Sequence, residues 1–167
     1  AVDIADTIRN EVKNEFGLTL SVGVSFNKVF AKLGSDLKKP DATNLIPFER
    51  FKEIVWPLSV DRLLGVGRST RQKLNSLAIF TIGDLAATDP EVLNIRLGKN
   101  GVMLWHYANG DENSSVLKND YKYTPKSIGR SETCPKGLCN FSDVYRDFLS
   151  LREEVARELR KEDMEAH

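Results

Sequence analysis

Two short runs in this chain carry the residue types that hold phosphate. The first, Ser25 to Pro40, places Lys28, Lys32, Lys38 and Lys39 on and just beyond a short predicted helix that follows directly on an apolar strand. Lys28 and Lys32 lie four apart and share a helix face, whereas Lys39 stands past the helix end, fixed by Pro40. A bare lysine cluster is ordinarily a solvated basic face. A rigid Lys-Pro end at the edge of a sheet makes nucleotide phosphate binding more plausible here than for a bare cluster. The second run, Leu64-Gly65-Val66-Gly67, sits between two predicted helices in the helix–hairpin–helix pattern. Its glycines permit a tight turn and let backbone N–H groups approach a phosphate unobstructed. The helix that follows opens with Arg68, Ser69 and Thr70, whose amides and favourable dipole suit an anion, and Arg71 and Lys73 add charge nearby. Gly65, Val66, Gly67, Arg68, Ser69 and Thr70 are thus candidate DNA-backbone contacts. An ordinary glycine turn is the plain alternative. Contacts of this kind touch phosphates alone and are insensitive to base sequence.

No other constellation suggests chemistry. Cys134 and Cys139 have neither a second cysteine pair nor a nearby histidine, and read as two free thiols in a loop and a strand end. His106, between Trp105 and Tyr107, reads as a surface or packing residue of its helix. Asp3, Asp6, Glu11 and Glu15 read as the solvent face of the first helix. Asp36, alone among lysines, is expected to pair with one of them or to cap local structure. No carboxylate pair near the lysines suits a catalytic metal, so neither a metal nor a catalytic residue is expected in this chain.

The elements that must position these residues follow from periodicity. Val2, Ile4, Ala5, Ile8, Val12 and Phe16 recur at helical spacing and Gly17 ends the pattern. Residues 18–26 alternate apolar and small polar side chains, which predicts a strand with one buried face. Asn27 caps a helix reaching to about Leu37, which Pro40 stops. One strand makes no sheet, so its neighbours are expected outside the chain or from a second copy. Between 47 and 110, short helices broken by glycine and proline predict an all-α subdomain. Residues 111–123 are polar and irregular, 126–133 are expected to form a strand, and Ser142-Asp143 to cap a long helix. Val144, Phe148, Leu151, Val155 and Leu159 give that helix an apolar stripe.

Composition bounds the partners. The 167 residues suffice for one modest domain or two small ones, and 24 Lys plus Arg balance 24 Asp plus Glu. Nucleic-acid binding must therefore come from local patches. No apolar stretch approaches membrane-spanning length and no signal-peptide pattern opens the chain, so a cytoplasmic protein without membrane partners is expected. The ends read as those of a piece of something longer.

Several motifs in chain order resemble the Y-family DNA polymerases, the lesion-bypass enzymes. Asn27-Lys28-Val29-Phe30-Ala31-Lys32, with Ser35-Asp36 and Lys39-Pro40, is similar to the family's late palm motif. Leu64-Gly65-Val66-Gly67 and Leu97-Gly98-Lys99-Asn100-Gly101, with Leu104-Trp105 and Gly110-Asp111, resemble its thumb. Lys126-Ser127-Ile128-Gly129-Arg130-Ser131 resembles the first strand of its little finger. The resemblance covers essentially the whole chain. It implies an α+β, mostly helical chain: the C-terminal part of a palm over 1–45, a helix–hairpin–helix thumb over 46–110, a linker over 111–125 and a truncated little finger over 126–167. It further implies that Lys39 meets the triphosphate of an incoming deoxynucleotide, that Gly65–Thr70 grip primer-side DNA, and that Ser127, Gly129 and Arg130 lie along the template backbone. Mg2+ is implied for the intact polymerase, held by an early aspartate and an Asp-Glu pair. Residues 1–27 contain no such pair, so this chain alone is expected to be inactive and to need no cofactor. Sliding-clamp contacts are implied in segments beyond it, and self-association is expected through its truncated ends. The competing readings are a non-catalytic DNA-binding scaffold module of a polymerase-like repair protein, and a general helix–hairpin–helix repair protein. The latter leaves the Asn27–Pro40 run unexplained.

Overall fold

The predicted strand over 18–26 forms at Val22–Ser25 (β1), and its partner lies within the same chain. Thr43–Ile46 (β2) runs parallel to it, in register from Val22 opposite Thr43 to Ser25 opposite Ile46. This corrects the expectation of a lone strand. Four residues, Thr-Asn-Leu-Ile, hold too few alternations to announce a strand, and the crossover helix returns the chain beside β1. A computed structural model describes residues 1–121, 127–134 and 136–165.

That crossover is Lys28–Leu37 (α2), capped by the Asn27 carboxamide, which accepts from the Phe30 N–H at 2.8 Å. Val2–Phe16 (α1) ends on Gly17 in the left-handed conformation, as its sequence predicts. Phe51–Val55 (α3), Arg68–Asn75 (α4), Ile82–Ala87 (α5), Pro90–Leu97 (α6) and Lys99–Ala108 (α7) build the helical part. Two 3-10 turns, Phe48–Arg50 leading into α3 and Val60–Arg62, complete it. One continuous core joins Phe30, Leu33 and Ile46 of the βαβ layer to Val55, Leu63, Val66, Leu74, Leu85, Leu93 and Leu104 of the helices. Asn27 adds a polar tie, its amide donating to the Gly110 carbonyl at 3.0 Å.

Ala1–Val116 forms one compact unit and Leu117–His167 another. In the second, Phe141–Lys161 (α8) is a helix of 21 residues capped by Asn140, whose side chain accepts from the Asp143 N–H at 2.9 Å. The cap lies two residues ahead of the expected Ser142, because Asn140 and Asp143 bond reciprocally, the Asn140 amide donating back to Asp143 at 2.7 Å. Residues 127–133 form no strand. A strand needs a neighbour to satisfy its backbone, and among the described residues this unit supplies none. Lys126 lies outside the described residues.

Candidate nucleic-acid interface

The hairpin is shaped by its apolar residues. Leu63 and Val66 are buried, and the Val66 N–H closes a tight turn onto the Leu63 carbonyl at 3.1 Å. Between them Leu64 and Gly65 are thrown outward, and Gly65 takes φ 92, a conformation that a side chain resists. A Cβ there would also lie 3.2 Å from Leu104 of α7. Gly67 serves differently. Its φ of −83 suits any residue, and nothing lies within 4 Å of where a Cβ would stand. It leaves open space in front of the α4 N-terminus, which no side chain caps. The first bond back along α4 is that of the Arg71 N–H to the Gly67 carbonyl, at 2.9 Å. The amides of Arg68, Ser69 and Thr70 thus lie in the first turn, where an α-helix has no internal acceptors, on a largely exposed surface. By contrast, α5 closes its own N-terminus with a reciprocal Thr81–Asp84 box, and Asp89 caps α6. The α4 end can therefore accept an external anion. Arg71 is held at 3.0 Å from Asp61, whose carboxyl lies below the usual carboxylate range because the Ser59 hydroxyl donates to it and Arg71 stands nearby.

Lys39 lies elsewhere, at the end of the βαβ crossover. It borders a shallow cleft of about 390 Å³ lined by Thr19, Ser21, Lys32, Ser35, Asp36 and Lys39 among others. The lysine run is divided by its partners. Lys28 donates to the Ser114 hydroxyl at 3.1 Å and to the Ser115 carbonyl at 2.5 Å, while its backbone N–H donates to Glu112 at 3.2 Å. It clasps residues 112–115 against α2. Lys32 and Lys39 both pair with Asp36. The two hydrogen bonds, from Lys32 and then Lys39, bring its carboxyl down to about 2. Sequence reasoning allowed Asp36 one lysine, and the helix end brings it two.

Ser127, Gly129 and Arg130 lie in the second unit, on irregular backbone. The Arg130 guanidinium is drawn to α8, 3.4 Å from Glu158 and 3.9 Å from Glu154. Cys134 and Cys139 are free thiols, and Cys134 donates weakly to Asp147 at 3.5 Å. The hydrogen bond to that carboxylate pushes the Cys134 thiol up. His106 lies 2.7 Å from Asp111 at the end of α7. Among the described residues no group of three His, Cys, Asp or Glu side chains is placed to hold a metal. Two carboxylates line the Lys39 cleft, and each is paired with two cations: Asp36 with Lys32 and Lys39, Asp41 with Arg9 and Lys13. No described helix is long and apolar enough to cross a membrane.

Two family models match the chain in order: the impB/mucB/samB family over residues 1–36, and "DNA polymerase-iota, thumb domain" over residues 61–111. Among curated proteins, the DNA polymerase IV of Acetivibrio thermocellus is 52% identical over 161 residues, covering 96% of this chain and 40% of that protein. The DNA polymerase IV of Clostridium acetobutylicum is 37% identical over 160 residues, with the same coverage of 96% and 40%. Among solved structures, DinB from Sulfolobus solfataricus superposes with a TM-score of 0.62 at 26% identity, over 69% of this chain and 34% of that one. A Y-family DNA polymerase chimera superposes with a TM-score of 0.64 at 25% identity, over 72% and 36%. The chain spans about two fifths of the length of the curated relatives it matches. The two family models match in chain order and the relatives and folds are of one kind, so the chain is similar to a segment of the Y-family DNA polymerases.

Proposed function

We propose that this chain is the phosphate-handling middle of a lesion-bypass DNA polymerase, a protein that adds deoxynucleotides to a primer opposite damaged template and so acts in DNA repair. The observation that carries the reading is the open, uncapped N-terminus of α4 behind Gly67. There the backbone amides of Gly65–Thr70 hold primer-side DNA by its phosphates. Lys39 meets the triphosphate of the incoming nucleotide. Ser127, Gly129 and Arg130 follow the template backbone, with Arg130 exchanging its glutamates for phosphate. The division into palm over 1–45, thumb over 46–110, linker over 111–125 and little finger over 126–167 belongs to the same reading. Residues 111–116 pack with the first unit, the Lys28 clasp holding the start of the linker on the palm. Mg2+ chemistry falls to carboxylates of the longer protein that have no counterpart here, and so do the clamp contacts. This chain alone binds DNA without extending it, in the cytoplasm, and associates with itself through the apolar face of α8.

Gly67→Val provides the test, because its backbone and surroundings accept valine without strain while the side chain fills the phosphate's approach. Duplex affinity of this chain, measured by fluorescence anisotropy, should fall about tenfold, the weight of one hydrogen bond to a charged group. Wild-type binding should weaken steeply with salt and ignore sequence. In a protein of the relatives' length, the same substitution should slow single-nucleotide primer extension. Unchanged affinity in a folded Gly67→Val chain removes the hairpin from the reading, and absence of extension by the longer wild-type protein removes the polymerase.

A further inference from the structure

Asp36 stands on α2 one turn beyond Lys32 and shortly before Lys39, and its carboxylate is shared between them. Oδ2 accepts from Lys32 Nζ at 2.5 Å and Oδ1 lies 2.5 Å from Lys39 Nζ. All three side chains are partly or largely exposed, so these pairs add little to stability. Their consequence is geometric. A lysine ammonium rides on a flexible four-carbon stem and samples many rotamers when free. Two ammonium groups tied to the two oxygens of one carboxylate are instead held as close neighbours at the rim of one cleft. Each keeps further N–H donors for another acceptor, and the Thr19, Ser21 and Ser35 hydroxyls line the same cleft. The spacing suits an anion with several oxygens on adjacent centres.

We propose that Asp36 is a positioning residue that holds Lys32 and Lys39 as a two-pronged cation fork for successive phosphates of a polyphosphate chain. The inference rests on the reading of Lys39 as the triphosphate contact and adds Lys32 and Asp36 to it. The pairing persists at neutral pH, where an aspartate carboxyl is ionised. The ordering it supplies lowers the cost of immobilising two rotamer-rich side chains when the anion binds. A carboxylate that merely competed with phosphate would act in the opposite direction, and that difference is measurable.

The probe is inorganic tripolyphosphate, titrated calorimetrically into this chain at low salt. Lys39→Ala should weaken binding about tenfold, as expected for loss of a charge-assisted contact. Asp36→Asn should weaken it roughly three- to tenfold even though it makes the cleft more positive, because the fork loses its anchor. Asp36→Glu should restore most of the affinity, and the thermal midpoint should stay unchanged in all three. The Lys39 ammonium signal in NMR should sharpen with Asp36 present and broaden in Asp36→Asn. Equal or tighter binding by Asp36→Asn, with Lys39→Ala still weakened, overturns the role of Asp36 and leaves that of Lys39. No effect of Lys39→Ala, or no binding by the unaltered chain, overturns the phosphate reading and this inference together.

Discussion

Gly23 and Gly34 show how single residues set the distance between the layers that carry the lysines. A Cβ on Gly23 would lie 1.8 Å from the Ala31 carbonyl oxygen and 2.5 Å from the Ser35 N, both backbone atoms of α2. Backbone cannot move aside as a flexible side chain does, so α2 rests on β1 only because Gly23 has no side chain. Gly34 meets the same contact from the helix side, with its Cβ position 3.1 Å from the Gly23 Cα. Gly23→Ala should therefore destabilise the first unit by roughly 3 kcal/mol, the upper range of overpacking in a tight core. Gly67→Ala, into open space, should change little. Urea unfolding of the two variants checks this, and a Gly23→Ala chain as stable as wild type would mean that the helix does not sit so close. Sequence alone placed Lys39 beyond the helix and the Gly65–Thr70 turn between helices. It could not show that Lys28 is committed to residues 112–115, because those partners lie more than eighty positions away. Nor could it separate the two roles of the hairpin glycines, since the backbone angle and the distant Leu104 side chain distinguish Gly65 from Gly67.

Helices and strands were legible where their own pattern was long. The α1 stripe with its Gly17 stop and the Asn27-capped α2 appear as the residues foretell. The failures at β2 and at 127–133 have one cause: strand formation depends on a partner that local sequence does not name. The docking of α1 on β2 was missed for a related reason. Asp6, assigned to solvent, accepts from Thr43 at 2.6 Å and from Arg9 at 2.9 Å, while Arg9 and Lys13 both hold Asp41, two residues before β2. Ala5 is the one buried residue of α1, so this polar network carries much of the attachment. Lys13 and Arg9 hold the Asp41 carboxyl below its usual value, and Thr43 and Arg9 do the same for Asp6. A depressed carboxyl adds stability that is fully present above its unfolded value of 3.8 and disappears as pH falls through the lower folded value. Arg9, raised by Asp41, keeps its charge throughout and is left without its acceptors in acid. Asp41→Asn should thus lower the unfolding midpoint at pH 7 and make progressively less difference below pH 3.8. A penalty independent of pH would assign the effect to the loss of an oxygen acceptor for Arg9 or Lys13 rather than to charge.

At the scale of the whole molecule, the chain combines one well-buried unit with one in which none of the described residues is buried. The core from Phe30 to Leu104 gives Ala1–Val116 the means to fold cooperatively, whereas α8 has no buried residue. Its stripe of Phe148, Leu151, Val155 and Leu159 lines an apolar groove of about 470 Å³ with Arg130 and Ala156. A helix of this length without a packed face is only marginally stable in water. Hydrogen exchange should therefore show two levels: α7 amides protected to the global unfolding limit, and α8 amides protected little more than in an isolated helix. Dilute and concentrated samples separate the causes of any excess. Protection of α8 that rises with concentration, while α7 stays constant, would mark association of copies through the apolar stripe, since binding stabilises a segment in proportion to the partner available. Protection of α8 equal to that of α7 at every concentration would mean that the second unit folds as firmly as the first, and the two-level description would fail.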